Sequence, residues 1–205
     1  MTTYDIFYIH GYEGSSNGTK GTWLKENFSC FGIDMPDAKS NHPLGKKAPL
    51  PEMMQEIKDA VAPSTAFIKP YIKQIKPKIV VASSFGTAVW LKLIQEDPTL
   101  AVPSVLLAPA CSLLEVGEGY PHDVRTIIIH GTKDGIILLK QAEEVHKASG
   151  ENSLFWSIED EHSLPRLTID RPELRHAVNK LLWEQGTAEE REKSKHIRPP
   201  FAIDQ

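Results

Sequence analysis

Three residues in this chain are of types that together could do acyl-transfer chemistry, and each stands just after a short β-branched run. Ser84 follows Ile79-Val80-Val81-Ala82-Ser83, and Phe85-Gly86-Thr87-Ala88-Val89-Trp90 passes at once into amphipathic helical spacing. A strand that turns sharply into a helix pushes the serine at the turn off the sheet edge, with Oγ exposed and the next amides facing whatever it attacks. Asp134 lies in Gly131-Thr132-Lys133-Asp134-Gly135, after the run ending at His130. His162 lies in Glu159-Asp160-Glu161-His162-Ser163-Leu164, after the run ending at Ile158. A serine hydroxyl is a weak nucleophile until an imidazole takes its proton, and the imidazole needs a carboxylate to fix its tautomer and orientation. Ser84 is therefore assigned as nucleophile, His162 as general base and Asp134 as the acid that orients it.

Each assignment has a rival in the chain. The turn reads small-x-Ser-x-Gly, with Ala82 in the first small position and Gly86 in the second. Ser83 would shift the register and put Phe85 where strand and helix backbones approach closely. Asp160 is the alternative acid, but it lies two residues from His162 on the same loop and needs a tight bend to reach Nδ1. Asp123 precedes its strand and falls at the opposite edge of a sheet. His10 and His130 end strands and are expected to make structural hydrogen bonds. The histidines do not pair at metal-ligand spacing, so no metal and no organic cofactor are expected.

The elements that must position these residues follow from periodicity and punctuation. Strands are predicted over 4–10, 33–35, 78–82, 104–108, 125–130 and 153–158. Helices are predicted over 19–30, 52–62, 64–75, 139–149 and 170–186, and one follows Ser84; Pro63 breaks the second from the third. Asp170 reads as the N-cap of the last helix, and Gly186 as its stop. The Pro- and Lys-rich stretch 36–51 is either a surface excursion or the rim of a pocket. Alternating strands and helices imply an α/β fold: a three-layer α/β/α sandwich around a mostly parallel sheet of about six strands. Right-handed crossovers put every strand's C-terminal end at one edge, where the loops after His10, Ala82, His130 and Ile158 meet.

Length and composition narrow the class. The 205 residues, 40% hydrophobic and 24% charged, suit one soluble domain, assigned to 1–186, followed by a charged tail over 187–205. Thr187 to Glu190 in that tail forms a capping-box pattern, and the apolar Phe201 and Ile203 near its end could dock on a partner or pack on the domain itself. A formal net charge of −4 gives no general attraction to nucleic acid. No apolar run approaches membrane-spanning length and no leader pattern opens the chain, so a cytoplasmic protein with no membrane association is expected. Cys30 and Cys111 are expected to be buried and reduced. Nothing in the pattern specifies an oligomeric state.

The order Ser84, Asp134, His162, with His10-Gly11-Tyr12 after the first strand, resembles the α/β-hydrolase superfamily. The loop Gly11-Tyr12-Glu13-Gly14-Ser15-Ser16 and the absence of room for a lid domain are similar in particular to its small YqiA-like esterases. The departures are Ala82 for the first elbow glycine and Gly135 where a second acid is common. The resemblance implies an oxyanion hole made by the backbone N–H groups of Tyr12 and Phe85, and hydrolysis of a small-molecule carboxylic ester through an acyl-enzyme. A thioesterase or small peptidase would use the same machinery, and a non-catalytic interaction protein on the same fold is the rival from another class. A shallow site lined by Tyr12, Phe85, Ile136, Ile137 and Leu164 is expected, which suits short- to medium-chain acyl groups.

Overall fold

The computed structural model describes residues 3–41, 43, 49–117 and 119–187. Six strands, β1 (Ile6–Ile9), β2 (Cys30–Gly32), β3 (Ile79–Ser83), β4 (Ser104–Leu107), β5 (Thr126–Gly131) and β6 (Ser153–Ile158), form one sheet in the order β2-β1-β3-β4-β5-β6. Every neighbouring pair is parallel. The helices are α1 (Thr19–Asn27), α2 (Leu50–Asp59), α3 (Val61–Ile75), α4 (Phe85–Glu96), α5 (Leu139–Ala148) and α6 (Glu173–Gln185). This is the expected three-layer α/β architecture.

The central strands β1, β3, β4 and β5 are buried at every position and mostly apolar, because both faces are covered. Phe7 and Ile9 of β1, Val80 and Ala82 of β3, Leu106 of β4 and Ile128 of β5 pack with α3, α4 and Val145 of α5 on one face. The alternate residues, Ile6, Tyr8, Ile79, Val81, Val105, Leu107, Ile127 and Ile129, pack with Leu24 of α1 and with Leu174, Ala177, Val178 and Leu181 of α6 on the other. The chain runs β1 to β2 on one side, then crosses back to β3 on the other. The strand order therefore reverses between β1 and β3, and the crevice beyond their C-terminal ends is where such sheets hold ligands.

Several element boundaries differ from those read in the sequence. The helix predicted over 19–30 ends at Asn27, because Phe28 turns to extended backbone (φ −146°, ψ 163°). The strand expected at 33–35 lies instead at Cys30–Gly32, where Cys30 pairs with Ile6. Phe28 mimics a helical contact from outside the helix, with its ring 5.9 Å from that of Trp23. The break between α2 and α3 falls at Ala60 rather than Pro63, which sits in the first turn of α3 where a missing N–H costs little. Asp170 does not cap α6. Its carboxylate takes Arg166 at 2.8 and 3.2 Å, and the helix starts at Glu173 after Pro172. Most of the stretch 42–48 and the tail pattern beyond Thr187 lie outside the described residues. Among those described, no helix is long and apolar enough to cross a membrane.

Candidate active site

Ser84 sits between β3 and α4 with φ 50° and ψ −118°, a conformation that L residues rarely adopt. Three hydrogen bonds hold it there. Its N–H donates to Leu107 O of β4 at 2.8 Å, and its carbonyl accepts the Thr87 N–H at 2.9 Å and the Thr87 hydroxyl at 2.5 Å. Thr87 Oγ1 in turn accepts the Ala110 N–H at 2.9 Å. The buried Tyr120 hydroxyl donates to Thr87 O, which ties the first turn of α4 to the loop after β4.

The two small positions of the turn are unequal. A Cβ on Gly86 would stand 2.5 Å from Ile9 O and 2.6 Å from His10 O, so only glycine lets α4 cross the end of β1. Ala82 is buried among the apolar residues of its sheet face, where its methyl is accommodated. The sequence rule therefore bends at Ala82 and holds at Gly86.

Ser84 Oγ lies 2.9 Å from His162 Nε2, and His162 Nδ1 lies 2.8 Å from Asp134 Oδ2. A carboxylate only accepts, so Nδ1 carries the proton and Nε2 is left to accept from the serine hydroxyl. The Asp134 side chain is fully buried, whereas that of His162 is 21% exposed. Asp134 is fixed by its other oxygen, which accepts the amides of Ile136 at 2.8 Å and Ile137 at 2.9 Å. Asp160, the alternative acid, faces elsewhere. Its oxygens accept the amides of Glu161 at 2.9 Å and Arg166 at 3.0 Å.

His10 and His130 make the hydrogen bonds that strand-end histidines suggest. His10 Nδ1 donates to Gly11 O at 2.7 Å while Nε2 accepts the Met35 N–H at 3.0 Å, which ties the loop after β1 to the one after β2. His130 Nε2 donates to Ile137 O at 2.9 Å and lies 3.6 Å from Asp134 Oδ2. Burial pushes both imidazoles below their ordinary value. A neutral His130 leaves His162 as the group that can carry positive charge against Asp134.

The loop after β1 closes the other side of the serine. Gly11 approaches closely enough that a Cβ there would lie 3.5 Å from Ser84 Cβ, so Tyr12 follows directly beside the turn. The N–H of Phe85, first residue of α4, has no intrahelical acceptor by helix geometry. Neither it nor the Tyr12 N–H has an acceptor among the described residues. The two rings pack edge to face at 5.6 Å.

A cavity of about 330 Å³ opens at Ser84 and His162, between the loop after β1, the start of α1 and the loop after β6. Its walls differ from the apolar lining expected. Ile137 is 1% exposed and Leu164 is 0% exposed; both are consumed by the hydrophobic core. Ile136 is 62% exposed and, like Phe85, does not line this cavity, although Tyr12 does. The residues missed include the polar Ser15, Thr19, Lys20, Ser163 and Thr168, together with Tyr8 and Pro165. The signal was present in the Gly-, Ser- and Asn-rich loop after His10, but periodicity alone does not say which side chains of α1 turn toward a sheet edge. Among the described residues, no group of three or more His, Cys, Asp or Glu side chains is arranged to hold a metal ion. Both cysteines are buried and free.

No protein-family model matches the chain and no curated protein matches it. Solved structures do. α/β-Hydrolase domain-containing protein 10 from mouse superposes with a TM-score of 0.63 at 13% identity, over 88% of this chain and 90% of that one. An α/β-hydrolase enzyme from the sediment metagenome of the Mar Chica lagoon, Morocco, gives 0.60 at 13% identity, over 89% and 92%. An esterase from Pyrococcus furiosus gives 0.57 at 17% identity, over 89% and 84%. The parallel six-stranded sheet, the strained serine turn after its third strand and these superpositions together identify the α/β-hydrolase fold in this chain.

Proposed function

We propose that the protein is a serine hydrolase of small carboxylic esters that needs no cofactor. The observation that carries this reading is the unbroken relay from Ser84 Oγ through His162 to the buried Asp134, at 2.9 and 2.8 Å, built on a strained strand-to-helix turn. Backbone strain of this kind persists only where surrounding structure holds it, and it is concentrated at functional sites.

In the proposed reaction Ser84 Oγ attacks the ester carbonyl and its proton passes to His162 Nε2. Asp134 stabilises the resulting imidazolium through Nδ1–H. Charge that develops on the carbonyl oxygen is taken by the N–H groups of Phe85 and Tyr12, each such donor typically contributing roughly 3 kcal/mol to the transition state. Collapse breaks the bond to the alkoxy oxygen, and His162 returns the proton to the departing alcohol. Water, deprotonated by the same histidine, then attacks the acyl-enzyme and frees the acid and Ser84. The cavity volume is at the lower end of small-ligand sites, which supports short- to medium-chain acyl groups. Turnover of a butyryl ester at least tenfold above that of a palmitoyl ester is expected, and comparable rates would contradict the size limit.

The direct test is labelling with a fluorophosphonate probe, wild type against Ser84→Ala, with the adduct located by peptide mass spectrometry. The probe needs an activated serine and an assembled base, but no knowledge of the substrate. A single adduct on Ser84, absent from the variant, is expected. A folded wild type that does not react would overturn the reading.

A further inference from the structure

Among the described residues, the cavity beside Ser84 is lined by one lysine, Lys20, and by no aspartate or glutamate. Lys20 Nζ reaches across from α1 to donate to Ser163 O at 2.5 Å, next to His162. An ammonium has three protons to donate, and the described ion pairs of the chain do not engage the other two. Its electrostatic partner is Asp160, whose oxygens are occupied by the backbone amides of Glu161 and Arg166. Burial lowers the proton affinity of Lys20, and Asp160 partly offsets this. A charge held in that way gains from a second anion.

The wall around Lys20 favours the same sign. Gly18 and Thr19, which open α1, line the cavity too. That helix has no acidic residue in its first turn and no side chain capping its N-terminus. Its first amides have no intrahelical acceptor, and the positive end of its dipole lies at the cavity wall. Thr19 adds a hydroxyl beside Lys20 on the same wall, whereas those of Ser15 and Thr168 already donate to Asp34 and to Pro165 O. Tyr8, Tyr12 and Pro165 supply the less polar part of the lining, which leaves room for a short acyl group next to the charge. The nearby Asp34 is turned away, accepting the Ser16 amide at 2.6 Å and the Ser15 hydroxyl at 3.1 Å.

We propose that Lys20 is the specificity-determining residue of this site, and that the preferred ester carries a carboxylate or phosphate which Lys20 and the start of α1 hold while Ser84 attacks. This rests on the hydrolase reading above. It replaces a general small ester by an anionic one.

Matched substrate pairs test it. The glutarate monoester of 4-nitrophenol against 4-nitrophenyl valerate places the charge on the acyl side. 4-Acetoxybenzoate against 4-acetoxytoluene, and 4-acetoxyphenyl phosphate against phenyl acetate, place it on the leaving group. In at least one pair the wild type is expected to favour the anion in kcat/KM, Lys20→Met to lower that ratio at least tenfold, mainly through KM, and Lys20→Arg to keep most of it. Ratios unchanged by Lys20→Met in all pairs would overturn the proposal. So would an equal fall in both members of each pair, which is what a purely structural bond to Ser163 O would give. Calorimetric titration of glutarate and inorganic phosphate into Ser84→Ala, with and without Lys20→Met, separates this inference from the hydrolase reading. Binding lost with Lys20 supports the anion site even if the probe never labels Ser84, and binding indifferent to Lys20 removes it even if the probe does.

Discussion

At the scale of single residues, the site is a set of hydrogen bonds whose donors and acceptors leave little freedom. Asp134 gives one oxygen to two loop amides and the other to His162, so its rotamer is fixed before it meets the imidazole. Asp134→Asn preserves the shape but offers His162 an amide that can favour the wrong tautomer. A fall in kcat of about 10³- to 10⁴-fold with little change in KM is expected. Ser84→Ala should cost at least as much, because the nucleophile and its base act as a unit. Steady-state kinetics on whichever ester is turned over check both, and an Asp134→Asn variant within tenfold of wild type would remove Asp134 from the relay. Ser84, Asp134 and His162 were legible in the sequence because each follows a strand of one parallel sheet. Ile137 and Leu164 were misread because an apolar residue near a site looks the same in sequence whether it faces the cavity or the core.

At the scale of elements, the turn between β3 and α4 holds the serine in its strained conformation, and Thr87 is its lock. The Thr87 hydroxyl donates to Ser84 O and accepts from Ala110 N–H inside the protein. Thr87→Val keeps the volume, removes one of the two hydrogen bonds to the Ser84 carbonyl and leaves the Ala110 amide unpaired. Such a loss costs about 1–3 kcal/mol, or a fall in Tm of roughly 2 to 10 °C for a chain of this size. A drop in kcat larger than any change in KM should accompany it, because the strained turn keeps only two of its three hydrogen bonds. A variant with wild-type Tm and kcat would show that the lock is redundant. Gly86→Ala makes the harsher test of the same element. Its methyl would drive α4 against the carbonyls of Ile9 and His10, so loss of fluorophosphonate labelling with a Tm lowered by several degrees is expected. The elbow glycine was readable as a motif. Thr87's role was not, since its partners come from residues 84 and 110.

At the scale of the whole molecule, two buried neutral histidines couple stability to pH. Burial lowers the pKa of His10 and of His130 from the ordinary 6.5. The unfolded chain then binds protons that the native state refuses as the pH drops below about 6.5. Stability contributed by these groups is fully present above that value and lost on acidification, at up to about 1.4 kcal/mol per pH unit for each group across its window. Thermal unfolding followed from pH 7.5 to 5.5 should show Tm falling below about pH 6.5. A flat profile would mean that both imidazoles take up a proton in the native state as readily as in the unfolded chain.

The sequence by itself determined the alternation of strands and helices, the parallel sheet and the loops that meet at one edge. These follow from local periodicity, turn residues and the handedness of crossovers, all properties of neighbours along the chain. It also determined which serine can occupy a strand-to-helix turn, since only one register puts glycine where backbones touch. The tertiary structure decided which residues face the cavity, how the Asp134 carboxylate is held by the Ile136 and Ile137 amides, and that Lys20 of α1 reaches the carbonyl of Ser163 on the far loop. Those contacts join residues distant in sequence, and their outcome depends on how α1 and the loop after β6 pack across the edge of the sheet. A pattern of residue types does not carry that geometry, because the same side chain on the same helix serves the core or the site according to the rotation of the helix about its axis.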